Sequence, residues 1–177
     1  MEIRAQKVYP FSKISKQVKQ LYKQAFPPEE RLPYSLLMLN SWRKLADWYA
    51  FYDGEDFVGL AYVIADEHIY FILFLAVSSH SQSKGYGSAI LQKLKEEAGH
   101  RPQLLAIEPI DEEAENYDQR LKRLSFYERN GFELTEHLYC EGSEVYQIMV
   151  SDKSLDVRSF EELMKKIVFG LLKIAVT

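Results

Sequence analysis

An apolar run leads directly into a glycine-containing loop and then into an amphipathic helix, and this arrangement constrains the fold most. Residues 69–77 are almost wholly apolar, as expected of a strand that is covered on both faces of a sheet. Gly85 and Gly87 lie one residue apart in the loop, and residues 87–98 repeat apolar side chains at three- and four-residue spacing. The chain therefore contains a strand–loop–helix unit in which the helix packs on a sheet.

The remaining periodicity predicts a mixed α/β domain with the element order α α β β β α β α β β α. Aromatic and β-branched runs separated by Asp53-Gly54 and Asp66-Glu67 turns predict a three-strand meander. Ser12 is expected to cap the first helix, and Ser159 with Glu162 forms a capping box for the last. The predicted helices are 13–26, 34–44, 87–98, 118–129 and 159–173, and the predicted strands are 48–52, 56–65, 68–77, 103–108, 132–139 and 144–150.

The composition excludes several classes of protein. A single Cys among 177 residues excludes an internal disulfide framework and fits a cytoplasmic location, and with four His we expect no metal site. The net charge of −4 argues against general nucleic-acid binding. We expect no secretory signal, because residues 1–10 have no apolar core, and no membrane span, because no apolar stretch approaches the roughly 18 residues required.

The loop before the central helix suits an anion. Its glycines let the backbone bend tightly, free amides at a helix start attract negative charge, and Lys84 adds a cation. A nucleoside-triphosphate loop is excluded, because four residues should separate its glycines. A dinucleotide fingerprint fits poorly, because Ile90 stands where a third glycine belongs. From these residues alone, an anion-binding loop and a simple glycine turn remain open alternatives.

Two motifs in this order resemble the GNAT superfamily of N-acetyltransferases. Gln82-x-x-Gly85-x-Gly87 is similar to that family's pyrophosphate loop, and the segment 126–132 is similar to the end of its last core helix. The resemblance, to the small single-domain bacterial type, implies an acyl-CoA N-acyltransferase fold, with a central, mostly antiparallel twisted sheet and helices on both faces. The resemblance covers residues 1–150. We expect residues 151–177 to form a linker and an amphipathic helix that packs on the domain or on a partner subunit.

The resemblance also implies acetyl-CoA as the donor, with CoA as the product, bound between splayed strands at 69–77 and 103–108. Strand backbone would pair with the pantetheine, and loop amides would cradle the pyrophosphate. Many family members add an Asn seven residues before the Tyr of the second motif. Arg120 occupies that position here, and the nearest Asn lies one helical turn earlier. The expected cofactor-binding residues are Leu75, Ala76, Val77, Gln82, Ser83, Lys84, Gly85, Tyr86, Gly87, Ser88 and Asn116.

Acetyl transfer to an amine needs a base and an acid. An alkylamine with a pKa near 10.4 arrives protonated and must lose a proton, and a carboxylate, acting directly or through water, is the most economical base. Glu108, at the end of its strand, is the first candidate for the base. Tyr127 occupies the family's general-acid position and would protonate the leaving thiolate, the alternative being a packed core tyrosine. Further candidate bases are Glu67, Asp111, Glu112 and Glu113.

The sequence thus predicts an N-acetyltransferase that moves the acetyl group of acetyl-CoA to a primary amine in a ternary complex. The alternatives are a non-catalytic acyl-CoA sensor or scaffold on the same fold, and a protein whose last helix lies on a membrane. Residues 111–150 hold ten acidic and four basic residues, and their acid-rich start follows Glu108. We therefore expect a cationic small-molecule or peptide amine as the acceptor, and a homodimer remains open.

Overall fold

The structure, a computed structural model, describes residues 2–151, 155–169 and 173–177. Within those ranges an eight-stranded, mostly antiparallel sheet is combined with five α-helices, so the predicted α/β class is confirmed. None of the described helices is long and apolar enough to span a bilayer. The helices are α1 Lys13–Ala25, α2 Tyr34–Trp42, α3 Tyr86–Ala98, α4 Tyr117–Arg129 and α5 Val157–Ile167. The strands are β1 Ile3–Lys7, β2 Ala46–Asp53, β3 Asp56–Ala65, β4 Tyr70–Val77, β5 Gln103–Ile107, β6 Glu133–Glu141, β7 Glu144–Val150 and β8 Ile174–Val176.

The chain divides into two compact units. The first comprises Met1–Ala65 and Ile72–Gly99, and its strands have the order β1-β2-β3-β4. In it, β2 pairs antiparallel with both β1 and β3. The second comprises Asp66–Phe71 and His100–Thr177, and its strands have the order β5-β7-β6-β8 with antiparallel pairing throughout. The first two residues of β4 belong to the second unit and its remaining residues to the first.

An aromatic cluster forms the core of the first unit between α1 and the strands. Ser12 caps α1 as predicted, because its hydroxyl accepts from the amide of Ser15 at 3.2 Å. The buried ring of Tyr22 on α1 meets Trp48 of β2 at 5.4 Å and Phe74 of β4 at 4.9 Å, edge-on in both cases. Edge-to-face contacts add to the energy of burial, so the cluster holds α1 against two strands.

Gly59 on β3 lets the strands and α3 of the first unit approach closely. A β-carbon at this position would lie 2.6 Å from the backbone oxygen of Ala76 and 2.7 Å from Cδ1 of Ile90. The first atom belongs to β4 and cannot rotate away, and the second belongs to the buried face of α3. At this position of β3, only a residue without a side chain fits against β4 and α3.

In the second unit, α5 packs on the strands through Phe160. Its buried ring meets Phe71 at 4.9 Å and Tyr139 of β6 at 5.5 Å. The short strand β8 pairs with β6 beside this contact, where Leu138 and Thr177 exchange backbone hydrogen bonds at 2.9 and 3.0 Å. The helix and strand that follow β7 are therefore integral to this unit.

The structure corrects the predictions near both ends of the chain. The periodicity does not reveal β1 or β8, because both are short and depend on pairing with a longer strand. The last helix is capped by Asp156, whose carboxylate accepts from the amides of Arg158 and Ser159, so the predicted Ser159 cap is wrong. This helix ends at Ile167 instead of near residue 173. Residues 152–154 of the predicted linker and 170–172 of the predicted helix lie outside the described residues.

We expect Gly59→Ala to lower the free energy of unfolding by about 1–3 kcal/mol, because the added methyl group meets a backbone carbonyl that cannot move aside. Chemical denaturation followed by circular dichroism measures this loss. Adding Ile90→Val removes the Cδ1 atom and should relieve only part of the loss, since the clash with the carbonyl of Ala76 remains. A Gly59→Ala midpoint equal to that of the wild type would contradict this packing.

Candidate functional site

The glycine loop, residues 78–88, joins β4 to α3 in the first unit. It begins where the amide of Ser78 donates to the backbone oxygen of Val58 at 2.9 Å. After a 3₁₀ turn at Ser79–Ser81, the backbone of Ser83 and Gly85 adopts positive φ angles of 62° and 83°. Glycine takes this left-handed conformation without strain, which lets Gly85 turn the chain sharply into α3.

The amides of the glycine loop are available to an anion. In the part of the chain that the structure describes, none of the amides from Gln82 to Ser88 donates a hydrogen bond, and no side chain caps α3. The first turn of α3 contains no acidic residue. Free amides at the positive end of a helix dipole are the arrangement that binds phosphate groups. The loop as folded therefore has the free amides that a pyrophosphate site requires.

The predicted cofactor-binding residues of the first unit all lie on the end of β4 or on the glycine loop. On the strand, Ala76 is buried, whereas Leu75 and Val77 are half-buried. On the loop, Tyr86 and Gly87 are half-buried, and the exposed residues are Gln82, Ser83, Lys84, Gly85 and Ser88. The ammonium group of Lys84 donates to the backbone oxygen of His80 at 2.7 Å, so its charge is held beside the loop.

In the second unit, Glu108 follows β5 and contacts three residues on or next to the first half of α4. Its Oε1 receives a hydrogen bond from Asn116 Nδ2 at 2.9 Å and lies 3.3 Å from Arg120 Nη2. Its Oε2 receives a hydrogen bond from Arg123 Nη1 at 2.8 Å. Glu108 and Arg120 are each 19% exposed, whereas Arg123 is 43% exposed. We call these four residues the Glu108 cluster.

The Glu108 cluster shows what Arg120 contacts at the position where the family resemblance leads one to expect an Asn. Arg120 Nε donates to Asn116 Oδ1 at 2.7 Å, and its Nη1 donates to the backbone oxygen of Pro109 at 2.7 Å. Asn116 thus donates through its amide and accepts through its oxygen within the cluster. A role for Asn116 in cofactor binding stays a prediction, and its side chain would have to leave these partners to fulfil it.

Tyr127 is half-buried near the end of α4, with its ring against those of Phe126 and Phe132. The helix stops directly after it, where Gly131 has a φ of 85° and the amide of Phe132 donates to the backbone oxygen of Tyr127 at 3.1 Å. Among the described residues the Tyr127 hydroxyl makes no hydrogen bond. Burial raises the pKa of Tyr127, and the charge of Arg123 one turn earlier opposes part of that increase. The phenol therefore keeps its proton at neutral pH and has it available to donate.

The other candidate bases are solvent-exposed. Glu67 lies in the turn before β4, and Asp111 accepts from the amide of Glu113 at 3.0 Å in the segment after β5. The sequence did not lead us to predict a role for Arg123, although its spacing of one helical turn before Tyr127 can be read from the sequence. It also missed Gly59, for which no local pattern exists.

The comparisons with known proteins agree with this geometry. A family model of the GNAT acetyltransferase domain matches residues 44–134, just over half of the chain, a stretch that contains both the glycine loop and Tyr127. No curated protein matches this chain. A solved GNAT-family protein from Bacteroides thetaiotaomicron is 24% identical, with 95% of this chain and 97% of that chain covered and a TM-score of 0.76.

Two further solved structures are more distant. An aminoglycoside 6′-N-acetyltransferase complexed with coenzyme A is 16% identical over 85% of this chain and 96% of that chain, with a TM-score of 0.62. Naa50 from Arabidopsis thaliana, in complex with a bisubstrate analogue that contains CoA, is 16% identical over 86% of this chain and 99% of that chain, with a TM-score of 0.61. At such identities these likenesses show the fold alone.

We expect Glu108→Gln to lower the free energy of unfolding by about 1–3 kcal/mol, because it removes the charge that balances the partly buried guanidinium of Arg120. Denaturation at low and at high salt measures this, and most of the loss should persist in salt, since the pair with Arg120 is shielded from solvent. Glu96→Gln is the matched control, because Glu96 pairs with Lys93 at 2.7 Å on the surface with 55% exposure, and its loss should stay below about 0.5 kcal/mol. Equal losses in the two variants would contradict a structural role for the cluster.

Proposed function

This chain belongs to the GNAT acetyltransferase family, and from that premise we propose that it transfers the acetyl group of acetyl-CoA to a primary amine by direct attack in a ternary complex. Family membership makes the chain an acyltransferase. The acceptor and the roles of individual residues are the parts that we propose. The observation that supports the proposal most directly is the run of amides without partners from Gln82 to Ser88 at the start of α3.

The first unit supplies the residues that would hold acetyl-CoA, which when bound provides the acetyl group as a thioester. The amides of the glycine loop would receive the pyrophosphate, and Lys84 would add a positive charge beside it. The backbone of Leu75, Ala76 and Val77 would pair with the pantetheine amides as an added strand does. Two of the solved structures that share this fold contain coenzyme A or an analogue that includes it, which supports this assignment.

We assign the general acid to Tyr127. The hydroxyl has no partner among the described residues, and burial keeps its pKa above the ordinary value of 10.0, so it holds a proton throughout the neutral range. That proton would pass from the phenolic oxygen to the departing thiolate. A packed core tyrosine would be expected to satisfy its hydroxyl with a nearby backbone group, and Tyr127 does not.

We assign the base to Glu108. A carboxylate offers about four acceptor positions, and the Glu108 cluster occupies both of those on Oε1 but one of those on Oε2. The remaining position on Oε2 is the one that an amine or a bridging water would occupy. The proton that Glu108 would take from the amine would then pass to water.

The acceptor that we propose is a cationic small-molecule or peptide amine. The solved structures of this fold include an enzyme for an aminoglycoside, a small molecule, and a complex with a peptide-like analogue, and the fold does not choose between these classes. Asp111, Glu112 and Glu113 are exposed in the segment that follows Glu108 in the second unit. Their charges would attract a protonated amine toward the proposed base.

The alternative function is a non-catalytic protein that binds acyl-CoA. It shares the glycine loop with the proposed enzyme but gives no reason for a protonated tyrosine with a free hydroxyl. Incubation of the purified protein with acetyl-CoA and a panel of amines, followed by mass spectrometry, separates the two. N-acetylated product with release of CoA supports the enzyme, and stable retention of CoA without product across the panel supports the binding protein.

We expect Tyr127→Phe to lower kcat about 100-fold with little change in the KM for acetyl-CoA, because the variant keeps the ring contacts but loses the proton donor. Steady-state kinetics at several pH values between about 7 and 9 measures this. The deficit should be constant over that range, since the pKa of Tyr127 is raised above 10.0. Tyr117→Phe, the same change at the first residue of the same helix, should leave kcat unchanged. Equal kcat values for Tyr127→Phe and the wild type would disprove the assigned role.

We expect the combined variant Asp111→Asn, Glu112→Gln and Glu113→Gln to raise the KM for a cationic amine about three- to tenfold at low salt, because it removes three charges that attract the acceptor. The effect should shrink as salt is added. An arylamine that is uncharged at the assay pH serves as the internal control and should keep its KM. An unchanged KM for the cationic amine would exclude this segment as the source of acceptor selectivity.

A further inference from the structure

We propose that the side chains of Tyr86 and Asp53 form a tether that positions the glycine loop, which makes Tyr86 a positioning residue for the pyrophosphate of the donor. Tyr86 is the first residue of α3, and Asp53 is the last residue of β2. The phenolic hydroxyl of Tyr86 donates to Asp53 Oδ2 at 2.9 Å across 33 positions of sequence. This inference rests on the proposed function, because it assumes that the loop binds a diphosphate.

The tether attaches the far end of the glycine loop to the same hairpin that holds its near end. At the near end, the amide of Ser78 donates to the backbone oxygen of Val58 on β3. At the far end, Tyr86 reaches β2, the other strand of that hairpin. The loop between them is thus held at two points on one rigid antiparallel pair of strands.

Among the described residues, one other side-chain hydrogen bond of the loop reaches the sheet: Gln82 Nε2 donates to the backbone oxygen of Val77 at 3.5 Å, which lies on β4 where the loop begins. Two more do not reach it. Ser78 Oγ donates to Ser81 Oγ at 3.0 Å, and the Lys84 ammonium group donates to the backbone oxygen of His80. Both bonds stay within the loop. Gly85 and Gly87 have no side chains, so Tyr86 is the residue at this turn that can anchor it.

A firm anchor matters here because the loop gains little from its own backbone. Ser83 has a φ of 62°, an unfavourable conformation for a residue with a β-carbon, and the amides from Gln82 to Ser88 have no acceptors within the described residues. Such a segment must be held in place from outside if its amides are to point together at one anion before that anion arrives. Preorganised donors bind more tightly, because less conformational freedom is lost on binding.

The tether also fixes the position of the negatively charged Asp53 carboxylate. The hydroxyl of Tyr86 faces the carboxylates of both Asp53 and Asp56, which lie on either side of the β2–β3 turn. Near a site for a diphosphate, an acidic turn would repel the ligand. The hydrogen bond holds the Asp53 carboxylate on the hydroxyl of Tyr86, and its loss would leave that charge free to approach the loop.

The test measures the Kd for CoA of the full-length protein by isothermal titration calorimetry, together with kcat and the KM for acetyl-CoA. We expect Tyr86→Phe and Asp53→Ala each to raise the Kd and the KM about three- to tenfold, with kcat within about twofold of the wild type. The double variant should equal Asp53→Ala, since both lack the bond and the carboxylate, and Tyr86→Phe, which keeps the carboxylate, should show at least as large an effect. Asp53→Asn should stay close to the wild type, because its amide oxygen still accepts from the hydroxyl of Tyr86.

Tyr52→Phe is the matched control, because Tyr52 precedes Asp53 on β2 and donates its hydroxyl to Gln17 at 3.1 Å, away from the loop. Its Kd for CoA should match that of the wild type. A Kd for Tyr86→Phe equal to that of the wild type would overturn the tether, and so would a lower melting temperature of this variant without a change in Kd. If the wild-type protein binds no CoA, the proposed function fails together with the tether, whereas failure of the tether alone leaves CoA binding intact.

Discussion

The close approach of β3 to β4 and α3 at Gly59 is the contact on which the glycine loop depends. Because no side chain separates them, the end of β4 and the first turns of α3 lie directly against β3. The loop must then join two elements whose ends are already fixed close together. Within that loop Ser83 and Gly85 take left-handed conformations, and the amides from Gln82 to Ser88 have no acceptor among the described residues. In this unit, the packing of the core creates the polar feature that we assign to the donor.

In the second unit, contacts between charged side chains position the proposed functional residues more than apolar packing does. Helix α4 buries none of its residues completely, so hydrophobic contact alone does not fix its position. Instead Glu108, just after β5, binds Asn116, Arg120 and Arg123 on or next to this helix. The same carboxylate that orients the helix is the one that we propose as the base. Orientation and chemistry are thereby linked, and a substitution at Glu108 alters both.

The elements with a strong local pattern could be predicted from the sequence. Three signals are local: the apolar run of β4, the glycines of the loop, and the three- and four-residue spacing of α3. They predicted the bounds of β4 and α3 to within about two residues. The Ser12 cap was equally local. Features that depend on residues distant in sequence could not be found in this way, because they are visible only after folding. The contact of Gly59 with Ala76, the bonds of Glu108 to α4 and the pairing of β8 with β6 are of this kind.

Four expectations stay predictions: the individual site roles, the domain boundary after residue 150, the cytoplasmic location and a homodimer.

The pairing of β8 with β6 has a consequence for the outer edge of the strands in the second unit. β8 is the last strand in the order of the second unit, so within the described residues the backbone groups on its outer side have no neighbouring strand. Leu138 and Thr177 bond to each other, which turns the amide of Val176 outward, and there Glu161 of α5 accepts from it at 3.2 Å. The carboxylate, which also pairs with Lys165, thus occupies an amide at an edge on which another polypeptide could otherwise form a strand. A side chain bonded to this edge amide would oppose intermolecular sheet extension, an effect separate from any part in acyl transfer.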